Sequence, residues 1–354
     1  MAEHDQDGLG SRVDVLHISE AYGGGVQSAI SRYVENSVEF DHRILVRMRS
    51  EHNIEESNSI EISGFSGSLP AFLWHARAVI LETRPRIVHL HSSFAGLLRT
   101  FRFAGTKIIY TPHAYAFLRR DQSAVARAAY LGIETMLSKR PQTIAAISPF
   151  EAASAARLAG GYTDIAYLPN VAADSVKIRH HRSVASNTPE VVMVGRVSPQ
   201  KDPSFFAAMA RAVRTDIRWL WIGDGDEVMK EELRDAGVEV TGWVQNSDVH
   251  DRIASADLYF HSAKWEGAPV TLLESAALGT PILARGVESL EGLGFPLTAD
   301  CPNAAARAIE RFFDDETYRR DAVAATRESV DIHSAGVQSN ALGSLYRCAG
   351  QDPL

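Results

Sequence analysis

The sequence predicts an α/β fold of two doubly wound parallel-sheet domains that face each other across a cleft. Short apolar runs alternate with helix-like segments in two successive series. A polar, turn-rich stretch at 164–190 separates the series and marks the interdomain connection. At 354 residues the chain also exceeds the size at which one hydrophobic core usually stops growing.

The first series opens with the apolar run 13–19, followed by three consecutive glycines and a helix from near Val26. Strand signals follow at 44–46, 87–91, 107–113 and 143–148, with a polar excursion at 50–60. Helical patterns occupy 69–84, the neighbourhood of 94–103, 122–138 and 150–159. The second series begins with VVMVG at 191–195, then a helix at 205–214 and the strand RWLWIGDG at 218–225. EVMKEELRDAG, VHDRIASAD and VTLLESAALG read as helices, while VEVTGWV, LYFHSA and PILA read as strands. The last fifty or so residues are helical in pattern. The expected domains are 12–172 and 188–328, with 329–350 available to cross back as a terminal helix. Ligands of such sheets bind beyond the carboxyl ends of the strands, so the loops there hold the candidate chemistry.

The net charge of −8 argues against nucleic acid as the main partner. Residues 77–140 nevertheless hold 11 basic and only 3 acidic residues. Such a stretch suits an anionic acceptor or an anionic membrane surface, and equally a solvated helical face. Two cysteines, Cys301 and Cys348, form neither a disulfide framework nor a metal-ligand spacing. The polar amino terminus lacks a signal-peptide pattern and no apolar run is long enough to span a bilayer. These features make the cytoplasm, or its face of the membrane, the expected location.

Gly23, Gly24 and Gly25 lie between the first strand and helix, where backbone amides can approach an anion at a helix amino terminus. The same glycines could serve only a tight turn. Arg196 and Lys201, directly after the strand at 191–195, can hold a diphosphate, one by paired donors and the other as a point charge. Gly223 opens a second flexible turn at a strand end. In WEGAPVTLLESAALGTP, Glu266 stands before a helix that starts close to Pro269, and Glu274 lies more than a turn inside it. Amides of Gly267, Ala268 and Val270 would surround this mouth. The pair could bind phosphate and sugar hydroxyls, or act as acid and nucleophile in glycoside hydrolysis; spacing leaves both open. His89, His91 and His113 fall at strand ends, where they read as polar cleft lining ahead of a zinc site; no HExxH motif is present.

Taken together, VDVLHISEAYGGGVQ, LPN at 168–170, VGRVSPQKDP, GDG and EGAPVTLLESAALGTPILA resemble a retaining glycosyltransferase of family 4, built from two Rossmann-like domains in the GT-B arrangement. The resemblance implies a nucleoside-diphosphate-sugar donor, UDP ahead of GDP, and a glycan or lipid-linked acceptor. It implies no metal and no separate cofactor. Arg196 and Lys201 would then neutralise the diphosphate, with Gly24 and Gly25 approaching it from the first domain. Glu274 would bind the ribose, Glu266 the transferred sugar, and His113 would lie near the reacting sugar. Trp243 falls where a nucleobase contact is expected. Ala268 is smaller than the residue common at its position, which leaves the sugar open. An epimerase or phosphorylase of the same fold, and a non-catalytic nucleotide-sugar-binding protein, are the alternative readings.

Overall fold

The structure is a computed structural model that describes residues 13–48, 61–173, 176 and 188–347. The first sheet contains β1 (Val15–Ser19), β2 (His42–Met48), β3 (Glu61–Ser66), β4 (Ile87–His91), β5 (Lys107–Thr111), β6 (Gln142–Ala146) and β7 (Thr163–Tyr167). Its helices are α1 (Gly24–Glu35), α2 (Leu69–Thr83), α3 (Ser92–Ala95), α4 (Ala124–Leu137) and α5 (Pro149–Leu158). The second sheet contains β8 (Glu190–Val194), β9 (Arg218–Ile222), β10 (Val238–Val240), β11 (Leu258–His261), β12 (Ile282–Arg285) and β13 (Leu297–Thr298). Its helices are α6 (Pro203–Ala212), α7 (Glu227–Asp235), α8 (Asn246–Ser255), α9 (Val270–Leu278), α10 (Pro302–Asp314) and α11 (Glu316–Ile332), before the terminal α12 (Ala335–Arg347).

Both sheets are parallel and doubly wound, in the orders β3-β2-β1-β4-β5-β6-β7 and β10-β9-β8-β11-β12-β13. Each winding reverses between its first and fourth strands, β1 and β4 in one sheet and β8 and β11 in the other. Crevices open at such switch points because adjoining loops leave toward opposite faces. β1, β4, β6 and most of β8 are buried along their length, as expected for strands covered on both sides. Helix entry is set locally: Ser68, Ser123, Ser148 and Asp226 each accept an amide of the first turn, and Pro70 and Pro149 occupy first turns that need no donor.

Three strands were missing from the sequence reading. β3 and β7 are sheet edges with largely exposed side chains, so neither carries a continuous apolar run, and β13 is only two residues long. The polar break expected from 164 therefore begins after β7. Two boundaries also move. α1 starts at Gly24, two residues before Val26, and β6 ends at Ala146 so that Ser148 can cap α5. The helix expected around 94–103 is the short α3 followed by a 3₁₀ turn at Gly96–Thr100.

The chain passes back between domains after α11. His333 makes 3.2 Å contacts with the carbonyls of Asn170 and Leu293, pinning the crossing point. α12 then packs on the first sheet: Leu342, Leu345 and Tyr346 join a core with Val15, Ala29 and Tyr33. Gln338 donates to the Pro169 carbonyl at 2.7 Å, and Asn36 donates to the side-chain oxygen of Gln338 at 2.7 Å.

Candidate active site

The loop after β8 is shaped by close backbone packing. A Cβ on Gly223 would lie 2.3 Å from the Gly195 carbonyl oxygen, and one on Gly225 would lie 2.1 Å from that of Val197. Both positions must remain glycine for the β8 and β9 ends to meet. Trp221 Nε1 donates to the Gly195 carbonyl at 2.9 Å, and the Val197 amide donates to that of Asp224 at 2.8 Å. Thr241 Oγ1 accepts the Gly223 amide at 3.2 Å, which brings the Gly242–Trp243 turn beside the same loop. Trp243 is 70% exposed, so its indole is a surface group and not a core filler.

The two cations occupy different surroundings. Arg196 is exposed and has no ion-pair or hydrogen-bond partner among the described residues. Lys201 lies across Gly195, where an added Cβ would sit 3.0 Å from its Cε. Its Nζ donates to Glu266 Oε1 at 2.5 Å. His261 Nε2 approaches the same oxygen at 3.3 Å, while the Glu266 amide donates to Ser289 Oγ at 3.1 Å. Burial acts to raise the Glu266 pKa, but the Lys201 charge and the His261 contact outweigh it and hold the carboxyl at about 2. An ammonium has three donors, so this pairing leaves two directions open on Lys201.

Asp202, in the left-handed region at φ 52°, carries the loop into α6. Its carboxylate receives Arg285 at 2.6 Å and Lys264 at 3.0 Å, which fixes the loop that presents Lys201. α9 begins at Val270 with Pro269 at its amino-terminal cap. Glu274, one turn inside α9, stands 3.7 Å from His250 Nε2 of α8. Sequence reading singled out neither His250 nor the supports Asp202, Lys264, Arg285 and His261. The Asp202, Lys264, Arg285 and His250 contacts join separate segments of the chain, and His261, which meets Glu266 locally, offered only its end-of-strand position as a signal.

From the first domain, α1 begins with Gly24 at φ 52°, a conformation that favours glycine. No atom lies within 4 Å of a Cβ placed on Gly24 or Gly25, both residues are exposed, and no side chain caps this helix start. α1 and α9 are in contact. Gly267 fits tightly at the domain contact: its Cβ would fall 2.9 Å from Ile147 Cδ1 and 3.1 Å from the Ala114 nitrogen. Asn170 spans the joint as well, donating to the Ala268 carbonyl at 2.9 Å and accepting from Tyr33 Oη at 3.1 Å.

His113 and Ala114 adopt left-handed conformations, φ 53° and 74°, that turn the chain immediately after β5. His113 is a partly exposed residue, but its ring is buried enough to lower the pKa to about 3, so it is neutral. Behind it the polar-lining reading of the histidines is overturned. His89 and His91 are fully buried and their ring nitrogens are engaged inside the domain, not in the cleft. Their positions on β4 aim both side chains to one sheet face, together with His17 of β1. His17, His89 and His91 place one nitrogen each within 4.8 Å of one another. Nearby, Glu151 is buried, and burial raises its pKa to about 8, more than the adjacent Ala114, Ile147 and His113 amides lower it.

The site residues therefore fall along the two facing rims. Gly24, Gly25 and His113 belong to the first, and Arg196, Lys201, Gly223, Trp243, Glu266, Gly267, Ala268, Pro269, Val270 and Glu274 to the second. Direct contacts join Lys201 to Glu266, and Gly267 to the His113–Ala114 backbone.

Comparison with known proteins agrees with this architecture. The model of the glycosyl transferase 4-like domain matches residues 24–171, and that of glycosyl transferases group 1 matches residues 188–315. A Klebsiella pneumoniae protein described as an uncharacterized 41.2 kDa protein in the cps region is 25% identical over 297 residues, covering 78% of this chain and 82% of its own. The Escherichia coli UDP-Gal:alpha-D-GlcNAc-diphosphoundecaprenol alpha-1,3-galactosyltransferase is 22% identical over 263 residues, covering 65% and 67% of the two chains. The structure of sucrose-phosphate synthase from Thermosynechococcus elongatus superposes with a TM-score of 0.79 at 18% identity, over 95% of this chain and 99% of that one. With one matched module in each of its two facing domains, the chain belongs to the glycosyltransferases of the GT-B fold.

Proposed function

We propose that the chain moves a hexose from a UDP-sugar to a lipid-linked glycan acceptor, with retention at the anomeric carbon, in bacterial polysaccharide or capsule synthesis. The observation that carries this reading is the Lys201–Glu266 pair beside Gly267, whose backbone lies against the His113 turn of the opposite domain. A cation and a carboxylate beside the α9 start, packed against a turn of the opposite domain, support a donor site between the domains. As the bond from the anomeric carbon to the phosphate oxygen breaks, negative charge grows on the departing diphosphate. In this reading Arg196, Lys201 and the amides at the α1 and α9 starts meet that charge, and groups held by the fold do so with little reorganisation. The acceptor oxygen bonds to the anomeric carbon on the leaving-group face, and its proton passes to a phosphate oxygen. The two cations supply the countercharge, and the reaction in this reading runs without a divalent metal. Glu274 receives the ribose, and Trp243 offers a flat exposed face to the base.

The E. coli relative's name specifies both a UDP-sugar and a diphospholipid acceptor, and the Klebsiella relative comes from a cps region, which supports the donor and acceptor classes. The surface of the first domain also supports a membrane-bound acceptor. α4 exposes Val125, Leu131, Ile133 and Met136, and α2 exposes Trp74 and Leu81. Arg102, Arg120, Arg127 and Lys139 are exposed in the same domain. Other cations of this basic stretch are spent internally, Arg99 on Glu134 and Arg86 on Asp14. No helix among the described residues is long and apolar enough to cross a membrane. Peripheral attachment to anionic lipid is the expected mode.

A thermal-shift screen tests the donor: UDP and UDP-hexoses should raise the unfolding temperature while GDP does not. Stabilisation by GDP alone would reverse the base assignment. Co-sedimentation with vesicles containing phosphatidylglycerol tests the surface, with binding at low salt expected to weaken at moderate salt. No binding at either salt would indicate a soluble acceptor.

A further inference from the structure

Four imidazoles run in single file from the cleft into the first domain. His113 Nε2 lies 3.1 Å from His91 Nδ1, His91 Nε2 lies 3.0 Å from His17 Nδ1, and His17 Nε2 lies 3.0 Å from His42 Nδ1. His42 Nε2 completes the file at 3.0 Å from the Ser37 carbonyl oxygen. Every link joins an Nε2 to an Nδ1, so the file has a direction.

That direction can be worked out from its buried end. A carbonyl oxygen only accepts, so His42 Nε2 must carry a proton. Ser37 Oγ, 3.1 Å from the same nitrogen, gives its own hydrogen to the Tyr33 carbonyl at 2.5 Å and is left as an acceptor too. Burial lowers the pKa of His42, His17, His91 and His113, so each ring is neutral and has one N–H. His42 Nδ1 is then a lone pair, and His17 Nε2 must donate to it. The same logic passes to His91 Nε2 and finally to His113 Nε2. His113 Nδ1 remains a bare lone pair, and it has no partner among the described residues.

We propose that Ser37, His42, His17 and His91 form a relay that sets the tautomer of His113, so that its Nδ1 faces the cleft as a hydrogen-bond acceptor for a hydroxyl of the transferred sugar. The relay positions; it does not transport protons. Net transfer along it would deliver a proton to the Ser37 carbonyl, which is far too weak a base to keep it. A neutral acceptor also turns away from phosphate oxygens, which are acceptors themselves, and so discriminates sugar from diphosphate. The relay explains why imidazoles occupy fully buried strand positions: each polar atom has a partner, and an apolar replacement at any link would orphan the next ring. A metal ion shared by His17, His89 and His91 would have to break these bonds, since both nitrogens of all three rings are already engaged.

The identity of the ligand group rests on the sugar-transfer reading, whereas the relay itself does not, and one experiment separates them. Two-bond ¹H–¹⁵N spectra of the full chain labelled on histidine nitrogen report the tautomer of each ring. The relay requires His113, His91, His17 and His42 all to be protonated on Nε2 in the ligand-free protein. A proton on Nδ1 of any of the four, or stoichiometric bound metal in elemental analysis, overturns it. Adding UDP-glucose should then shift His113 Nδ1 in the direction of an accepted hydrogen bond, whereas UDP alone should leave it unmoved. A shift with UDP alone overturns the hydroxyl assignment, and a spectrum indifferent to both nucleotides overturns the donor reading while the relay stands. His42→Phe removes the acceptor for His17 and should give a mixed tautomer at His113, with donor KM raised roughly fivefold. His42→Asn, whose amide oxygen replaces Nδ1, should restore the single tautomer. A single tautomer in His42→Phe would contradict the relay.

Discussion

The two rims of the cleft are built from opposite materials. On the second domain the polar groups are charged: Arg196 stands unpaired among the described residues, Lys201 is bonded to Glu266, and Glu274 faces His250. On the first domain they are neutral: backbone amides at Gly24 and Gly25, and an imidazole whose charging is suppressed by burial. Charge stabilises charge that develops on a phosphate, while a neutral acceptor gains nothing from it. The contrast therefore divides the labour, with the diphosphate held mainly by the second rim and sugar hydroxyls met by the first.

The sharpest way to break this division is to remove its cations. Lys201→Ala and Arg196→Ala should each lower turnover by roughly 10²–10³, the usual scale for a lost transition-state donor. Initial rates with a UDP-hexose check this, and unchanged turnover in both variants would remove the diphosphate from the second rim.

A smaller effect is expected where the rims touch. Gly267→Ala places a methyl against Ile147 and the Ala114 nitrogen, so the domains must part slightly or the His113 turn must move. Overpacking of this kind costs about 1–3 kcal/mol. Turnover should fall more than UDP affinity, because the nucleotide stays on the second rim. Equal losses in both would mean that the rims do not divide the donor as described.

The mildest test concerns stability, and it again sets one rim against the other. Glu151 of the first domain has its pKa raised to about 8, so it stays protonated in the fold after the unfolded chain ionises near pH 4.5. The folded state then binds more protons, and stability falls as pH rises from 4.5 toward 8, by on the order of 3 kcal/mol at neutral pH. Glu266 of the second domain, lowered to about 2, has the opposite sign: its contribution is present above pH 4.5 and is lost as pH falls toward 2. Denaturant titrations across this range should show Glu151→Gln flattening the alkaline decline and leaving the acid limb alone. An unchanged alkaline slope would place the titrating group elsewhere.

The same contrast explains what could be read in the sequence. The two-sheet fold was legible because buried parallel strands such as Val15–Ser19 and Glu190–Val194 are nearly continuous apolar runs. The edges β3 and β7 were not, since exposed strands lack that signal. On the second rim, candidate residues sit in short local motifs in which glycines, cations and carboxylates declare their chemistry. The first rim depends on register. His17, His42, His91 and His113 lie as much as 96 positions apart, and only the pairing of β1 with β2 and β4, and of β4 with β5, lines them up. The left-handed turn at His113 has no glycine to announce it.

The central claim, that the cations of the second rim hold most of the diphosphate, is tested most directly by calorimetric titration of free UDP into three proteins: the unaltered chain, the Arg196→Ala/Lys201→Ala double variant and His113→Ala. The account predicts that the double variant loses UDP affinity by at least about tenfold while His113→Ala keeps it, matching the loss of two charge-assisted contacts against none. Undiminished affinity in the double variant, or an equal loss in His113→Ala, would contradict it.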